Sequence, residues 1–182
     1  MRGYGRKLYL PLKPHARLAR GDVPAKSKSG HTLSLQLKLL YFLYFCEETE
    51  KFYKKQGISE DVLLDTLGDI PRWLDIWSEL KGGLYLGELE WLSQHLRGKL
   101  FKLGRLQFCF ADNYEFLDRG IKKGDAVIDV HIPAVGPLLA DECIKSLDYA
   151  KDFFTRHFPD YKWEVFTCHS WLLGEELREL LD

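Results

Sequence analysis

The chain has 182 residues, of which 46% are apolar and 14% aromatic, and its formal net charge is −1. This composition excludes a disordered chain and allows one domain with a real core or two small ones. The balanced charge supplies no global basic field, so nucleic acid is not an expected partner. Cys46, Cys109, Cys143 and Cys168 are widely spaced and form no CxxC pair, so neither a structural zinc site nor a metal cofactor is expected. Three of them lie in apolar runs, where a buried free thiol is the ordinary reading. The N-terminus is charged but has no apolar core of a secretory signal. The apolar run Leu39–Cys46 spans eight residues, too few to cross a bilayer. A reduced, cytoplasmic protein with no membrane partner is the default expectation.

In chain order, residues 1–31 are basic, polar and without periodicity, and are expected to be a flexible arm. The short run Leu8–Leu12 within them could add an edge strand. From Thr32 to Tyr53, Leu35, Leu39, Phe42 and Cys46 recur at helical spacing, with Leu40 and Leu43 widening the stripe. The alternation in Leu33–Leu39 leaves a strand open there, but the length of the pattern favours a helix ending at Gly57. A second helix begins after Ser59, a good N-cap with acidic residues behind it, and ends with Gly68 as its C′ residue. Asp69 is expected to cap a third helix with Pro71 in its first turn, broken at Gly82-Gly83. A fourth covers Gly87 to Arg97, with Leu89, Leu92 and Leu96 inside. Trp73, Trp77 and Trp91 sit at helical spacing and read as core rather than as a stacking platform. Residues 32–99 are therefore a helical subdomain of about four helices, with no internal repeat.

The character changes at Leu100–Phe110, which reads as one strand bent or bulged at Gly104. A polar, turn-rich stretch then leads back, as a hairpin, into the β-branched run Ala126–Ile132. Gly136-Pro137 follows, with Pro137 suited to the first position of a helix over about Leu138–His157. Cys143, Leu147, Ala150 and Phe154 share one face of that helix. Trp163–Cys168 is aromatic and β-branched and reads as a second strand, parallel to Ala126–Ile132 by a βαβ crossover. The fold class is α+β: a helical N-terminal subdomain followed by a partial mixed sheet.

Alternation along Ala126–Ile132 places Val127, Asp129 and His131 on one face. Asp129 and His131 are then neighbours about 7 Å apart along the strand. A carboxylate beside an imidazole can orient it as a base, which makes this pair the best acid–base candidate by spacing. The other reading is a histidine bonded to a loop at the strand end, with Asp129 solvated. Cys168, if it met His131 across parallel strands, would suggest a Cys–His nucleophile, and with Ser170 leaves a small hydrolase as a further alternative. No strained nucleophile turn surrounds either residue.

The words VHIPAVGPL, CIKSLDYAKDFFTRHFP and FTCHSWLL, with GLYLGELEWLSQHLRGKLFKLGRLQF upstream, occur in order from Gly83 to Leu173. They resemble a bacterial acyltransferase family with a helical N-terminal domain and a C-terminal domain like the Gcn5-related N-acetyltransferases (GNAT). The resemblance covers roughly Leu35 to the end. It implies transfer of an acyl group, such as acetyl, from acyl-CoA to an amine or hydroxyl on a small-molecule acceptor, without a metal. It implies that the strand Ala126–Ile132 offers backbone hydrogen bonds to pantetheine, that a backbone N–H near Ile132 polarises the thioester, and that His131 or Asp129 deprotonates the acceptor. It also implies that the loop Ile132, Pro133, Ala134, Val135, Gly136 and Leu138 holds the CoA pyrophosphate at a helix N-terminus.

The sequence departs from that pattern in the loop and at its end. The loop has one glycine where two are common, Pro137 removes a donor, and Asp141 and Glu142 oppose a diphosphate. No Lys or Arg occurs in it. Family members continue beyond the point reached by GEELRELLD, which should itself be helical, so residues 100–182 are expected to be a partial GNAT-like subdomain. Its open sheet edge would then be completed by a second copy or a partner chain. A non-catalytic interaction module is the alternative these departures raise.

Overall fold

A computed structural model describes residues 35–113, 120–170 and 172. The basic arm, the short run Leu8–Leu12 and the helix expected at the C-terminal end lie outside the described residues. The described residues form two compact units that divide between Leu103 and Gly104.

The first unit holds four helices and one strand. Helix α1 spans Leu35–Gln56, and Phe42, Thr49, Phe52 and Tyr53 are buried on its inner side. The strand left open at Leu33–Leu39 is thus helical from Leu35 on. Gly57 ends α1 in the left-handed region, at φ 67°. Thr49 Oγ1 lies 2.7 Å from the carbonyl of Leu96, which ties α1 to α4. Helix α2 is Glu60–Leu67; Ser59 is extended ahead of it but makes no side-chain cap bond. Gly68 does not take the left-handed C′ geometry. It stays right-handed at φ −58° and the chain runs straight into α3, Asp69–Lys81. Asp69 consequently lies inside the first turn rather than capping it, and its carboxylate is used elsewhere. Helix α4 is shorter than the apolar spacing predicts, Leu89–Leu96, because Glu88 adopts a left-handed φ of 51°. Phe42, Leu86, Leu92 and Leu96 form a core cluster with Trp73 and Trp91 packed against it. At Gly98 (φ 59°) an added Cβ would come within 2.2 Å of the Phe52 ring, so only glycine fits this close approach. Strand β1, Leu100–Leu103, follows directly, and the Lys102 N–H donates to Thr66 Oγ1 on α2 at 2.9 Å.

The second unit is built on three strands and one helix. Leu100–Phe110 is not one bent strand. Gly104, at φ 70°, turns the chain, and β2 starts afresh as Leu106–Asp112. Strand β3, Ala126–His131, returns antiparallel to β2, pairing Gln107 with His131, Cys109 with Asp129 and Asp112 with Ala126. Strand β4 is only Phe166–Thr167 and runs parallel to β3, pairing Ile128 with Phe166 and Asp129 with Thr167. The expected strand Trp163–Cys168 is therefore mostly loop. Tyr161 and Trp163, ahead of β4, lie over the sheet's aromatic face instead.

Helix α5, Ala140–His157, makes the crossover from β3 to β4. It begins two residues later than the sequence suggests, and Pro137 lies outside it. Its buried residues are Ser146, Ala150, Phe153 and Phe154. Phe110 meets Phe154 and Phe158 edge-on, with centroids 5.2 and 5.0 Å apart. Phe108, Phe154 and Ile128 are fully buried. Burying each contributes about 1.5–3 kcal/mol. The pleat then sends the alternate residues of β2 and β3, Gln107, Cys109, Asp129 and His131, to the other face of the sheet.

Candidate functional site

The polar face of the second unit gathers its chemistry at the C-terminal end of β3. His131 Nε2 lies 3.5 Å from Asp129 Oδ2 and 3.3 Å from Cys109 Sγ. The Thr167 hydroxyl donates to the other carboxylate oxygen, Asp129 Oδ1, at 3.0 Å. Of the two cross-strand neighbours of Asp129, Thr167 on β4 bonds its carboxylate, while the thiol of Cys109 on β2 meets His131. The side chains of His131 and Asp129 remain 30% and 21% exposed, enough for a ligand to reach them. Gln107, opposite His131, is buried, and its Nε2 has no hydrogen-bond partner among the described residues.

Strand alternation thus brings Asp129 and His131 together as the spacing suggests. The thiol beside the imidazole is not Cys168, however, but Cys109. Antiparallel register sets Cys109 opposite Asp129, whereas parallel register sets Thr167 there, and Cys168 lies beyond the end of β4. Cys168 is a poor nucleophile besides: burial and then the charge of Asp129 push its thiol pKa up. Nor do Cys109, His131 and Asp129 form a relay. A relay uses one imidazole nitrogen for the nucleophile and the other for the acid. Here sulfur and carboxylate approach the same nitrogen.

The loop that follows β3 runs from Ile132 to Leu139. Ala134, Gly136 and Leu138 are exposed and Ile132 and Val135 half-buried. Gly136 is left-handed at φ 61°, the geometry for which the glycine is required. The Val135 N–H is bonded to the Pro133 carbonyl at 2.8 Å, so it is already satisfied within the loop. Leu139 precedes α5 with no side-chain cap. The loop itself has no cation, but the fold supplies one. Arg105, in the turn between β1 and β2, donates from Nε to the Pro137 carbonyl at 3.0 Å and from Nη1 to that of Pro133 at 3.1 Å. Its Nη2 lies 3.4 Å from the Gly136 carbonyl. One guanidinium thus clasps three loop carbonyls and brings a positive charge to the loop.

Residues 10–98 match the model of the N-acyltransferase N-terminal domain, and residues 100–182 match that of the GNAT-like C-terminal domain. The chain belongs to this N-acyltransferase family. Solved structures agree with that assignment. An acyltransferase in complex with decanoyl-CoA and teicoplanin matches at 30% identity and a TM-score of 0.73, over 91% of this chain and 52% of its own. An acyltransferase in complex with CoA and 10C-teicoplanin matches at 30% identity and a TM-score of 0.74, over 92% of this chain and 53% of its own. A third, in complex with decanoyl-CoA, matches at 31% identity and a TM-score of 0.72, over 91% of this chain and 52% of its own. This family member spans about half the length of the solved structures it matches. A comparison with curated proteins gives no match. Among the described residues, no helix is long and apolar enough to cross a membrane.

Proposed function

We propose that this N-acyltransferase family member binds acyl-CoA and takes part in acyl transfer to an amine or hydroxyl, with His131 as the base. The observation that carries the reading is the half-exposed Asp129–His131 pair, which stands at the end of a strand leading straight into the loop where this family is expected to hold CoA. Pairing with β4 covers only Ile128 and Asp129, so the last residues of β3 run on without a β4 partner among the described residues. Pantetheine would lie along that stretch, and a backbone N–H near Ile132 would polarise the thioester carbonyl. The acceptor's N or O bonds to the acyl carbon as the C–S bond breaks. His131 takes the acceptor proton, directly or through water, and the leaving thiolate of CoA is protonated in turn. Asp129, held by Thr167, orients the imidazole.

In the loop, Ile132, Pro133, Ala134, Val135, Gly136 and Leu138 would surround the pyrophosphate. Ala134, Gly136 and Leu138 are the positions best suited to donate an N–H. Arg105 offsets part of the repulsion from Asp141 and Glu142. The acyl chain, acetyl or longer, and the small-molecule acceptor are open to choice. We read the domain division as 1–31, 32–99 and 100–182. The four cysteines, none in a disulfide, fit a reducing compartment, and we place the chain in a bacterial cytoplasm. A second copy or partner chain beside β4 would complete the sheet.

Titration with acetyl-CoA and decanoyl-CoA, by calorimetry and thermal unfolding, tests the reading. A hundredfold excess over Kd should raise stability by about 2.7 kcal/mol. Replacing Gly136 by valine should abolish that gain, since a β-branched residue is strained at this φ. No binding at millimolar ligand would overturn the acyl-CoA reading in favour of an interaction module.

A further inference from the structure

Three donor atoms of different chemical kinds converge on the polar face of the sheet. Cys109 Sγ, Asp129 and His131 each offer one ligand atom, and these atoms lie within 4.8 Å of one another. Two of the separations are 3.3 Å (sulfur to Nε2) and 3.5 Å (Nε2 to Oδ2). Tetrahedral zinc, with bonds of about 2.3 Å to sulfur and 2.0–2.2 Å to nitrogen or oxygen, has donor–donor edges of roughly 3.3–3.6 Å. Two of the three edges thus already have tetrahedral length, and the third, sulfur to carboxylate, lies within 4.8 Å.

We propose that Cys109, Asp129 and His131 form a site for a soft divalent cation, with zinc as the reference ion, and that its occupation inhibits the protein. Four features favour a cation here. The donors sit on paired strands rather than on loops, so little ordering is needed to bind. Thr167 fixes the carboxylate from behind, as the outer partners of metal ligands do. A thiolate and a carboxylate neutralise a doubly charged ion, with the imidazole as the uncharged third ligand. The thiol and the carboxylate both lie beside Nε2, an arrangement unsuited to a nucleophile relay that brings the three donor atoms close enough to share one ion.

On binding, the Cys109 thiol loses its proton to solvent, an S–M bond forms, and the Nε2 lone pair is donated to the ion. No redox change is involved. The fourth position is left for water. The cation is an inhibitor and not a cofactor, because it ties up both Asp129 and His131, the pair on which deprotonation of the acceptor depends. This last step rests on the acyl-transfer reading above; the site itself stands on the geometry alone.

The experiment is a cobalt(II) and zinc(II) titration of the full chain in chelator-free buffer. One equivalent of cobalt should bind with a thiolate-to-cobalt charge-transfer band, and zinc should displace it. Cys109→Ser should remove the band and Asp129→Asn should weaken binding at least about tenfold. Cys168→Ser should leave both unchanged. Circular dichroism checks that each variant is folded, and should Cys109→Ser fail to fold, Asp129→Asn alone decides the matter. Absence of the band in the wild type, its survival in Cys109→Ser, or full-strength binding in Asp129→Asn would overturn the site. A separate arm follows CoA release from acyl-CoA. Turnover that zinc leaves untouched at saturating occupancy would overturn the inhibition. A wild type that binds cobalt but neither binds nor turns over acyl-CoA would instead defeat the functional reading and leave the site standing.

Discussion

Among the described residues, each unit holds a carboxylate–histidine pair, and the two differ in everything but composition. In the helical unit, Asp69 Oδ2 lies 3.1 Å from His95 Nε2, with the side chains 4% and 0% exposed. Arg72 Nε donates to Asp69 at 2.9 Å, and the indole N–H groups of Trp73 and Trp91 donate at 3.1 and 3.2 Å. In the sheet unit, Asp129 and His131 are 3.5 Å apart and part-exposed, with Thr167 on one oxygen and a thiol at the imidazole. The first carboxylate is sealed inside a shell of donors that joins α3 to α4. It has no capacity left for a substrate. The second is reachable and incompletely surrounded, which is what chemistry needs. A buried Asp–His pair thus holds structure here, and the half-exposed pair is the one to test for function.

The largest effect should come from the sealed pair. Removing one partner of a buried ion pair costs about 3–5 kcal/mol, because the remaining groups stay buried without it. Asp69→Ala should lower the urea midpoint accordingly, and at permissive temperature should leave acyl-CoA binding by the folded fraction unchanged. A loss below about 1 kcal/mol would erase the distinction between the two pairs, since that is what an exposed pair gives.

His131→Ala should do the reverse. Turnover should fall by about 10²–10⁴, the usual contribution of a general base. Its side chain is partly exposed, and the melting temperature should shift by no more than a surface substitution's. If His131→Ala unfolds the protein while turnover per folded molecule holds, the sheet pair is structural as well and the comparison fails.

Tyr161 offers a control within the same unit. Its hydroxyl lies 2.7 Å from the Ala111 carbonyl and 2.9 Å from that of Val127, which are register partners on β2 and β3. It caps the far end of the strand pair that carries the site. Tyr161→Phe should cost about 0.5–1.5 kcal/mol, with turnover unchanged. Burial, and the nearby charges of Asp112 and Cys109, push the Tyr161 phenol pKa up despite its bonds to the two carbonyls. A raised pKa stabilises the fold fully below the unfolded value, about 10, and that contribution is lost as pH rises through the folded value. Alkaline unfolding in the wild type should therefore steepen above about pH 10, and the phenylalanine variant should lack that component.

These pairs also mark how far the sequence could be read. The alternation in AVIDVHI was enough to place Asp129 and His131 on one face, because a period of two holds along any strand. The helical spacing of Trp73, Leu74, Leu92 and Leu96 likewise revealed a core. What the sequence concealed depends on register between distant segments. Cys109 meets His131 only because β2 and β3 pair antiparallel across a connection starting at Asn113, and a slip of one residue would have sent the thiol to the aromatic face. The turn at Gly104 hid the same way: a glycine at a φ of 70° fits a bulge or a reversal equally well, and the break between β1 and β2 decides for the reversal. That reversal aims Arg105 at the Pro133–Pro137 carbonyls, giving the loop a cation that no local pattern announces. Asp69, expected to cap α3, lies one residue inside the helix, and four side chains from α3 and α4 take its carboxylate instead.

The finest test of the comparison is Thr167, the single hydroxyl that holds Asp129 from the β4 side. Asp69 keeps its orientation when any one of its donors is removed, because the others remain. Asp129 has no such reserve of donors at Oδ1 among the described residues: the 3.0 Å bond from Thr167 is what holds its carboxylate there. Thr167→Val keeps the shape and removes the donor. If Thr167 positions Asp129, turnover should fall several-fold with the KM for acyl-CoA unchanged, and Thr167→Ser should restore it, since serine supplies the same hydroxyl. Stability should change by about 1 kcal/mol or less, as expected for one part-exposed hydrogen bond. A serine variant as slow as the valine one would mean that the methyl group, and not the hydroxyl, matters at this position, and Asp129 would then be oriented by the sheet alone.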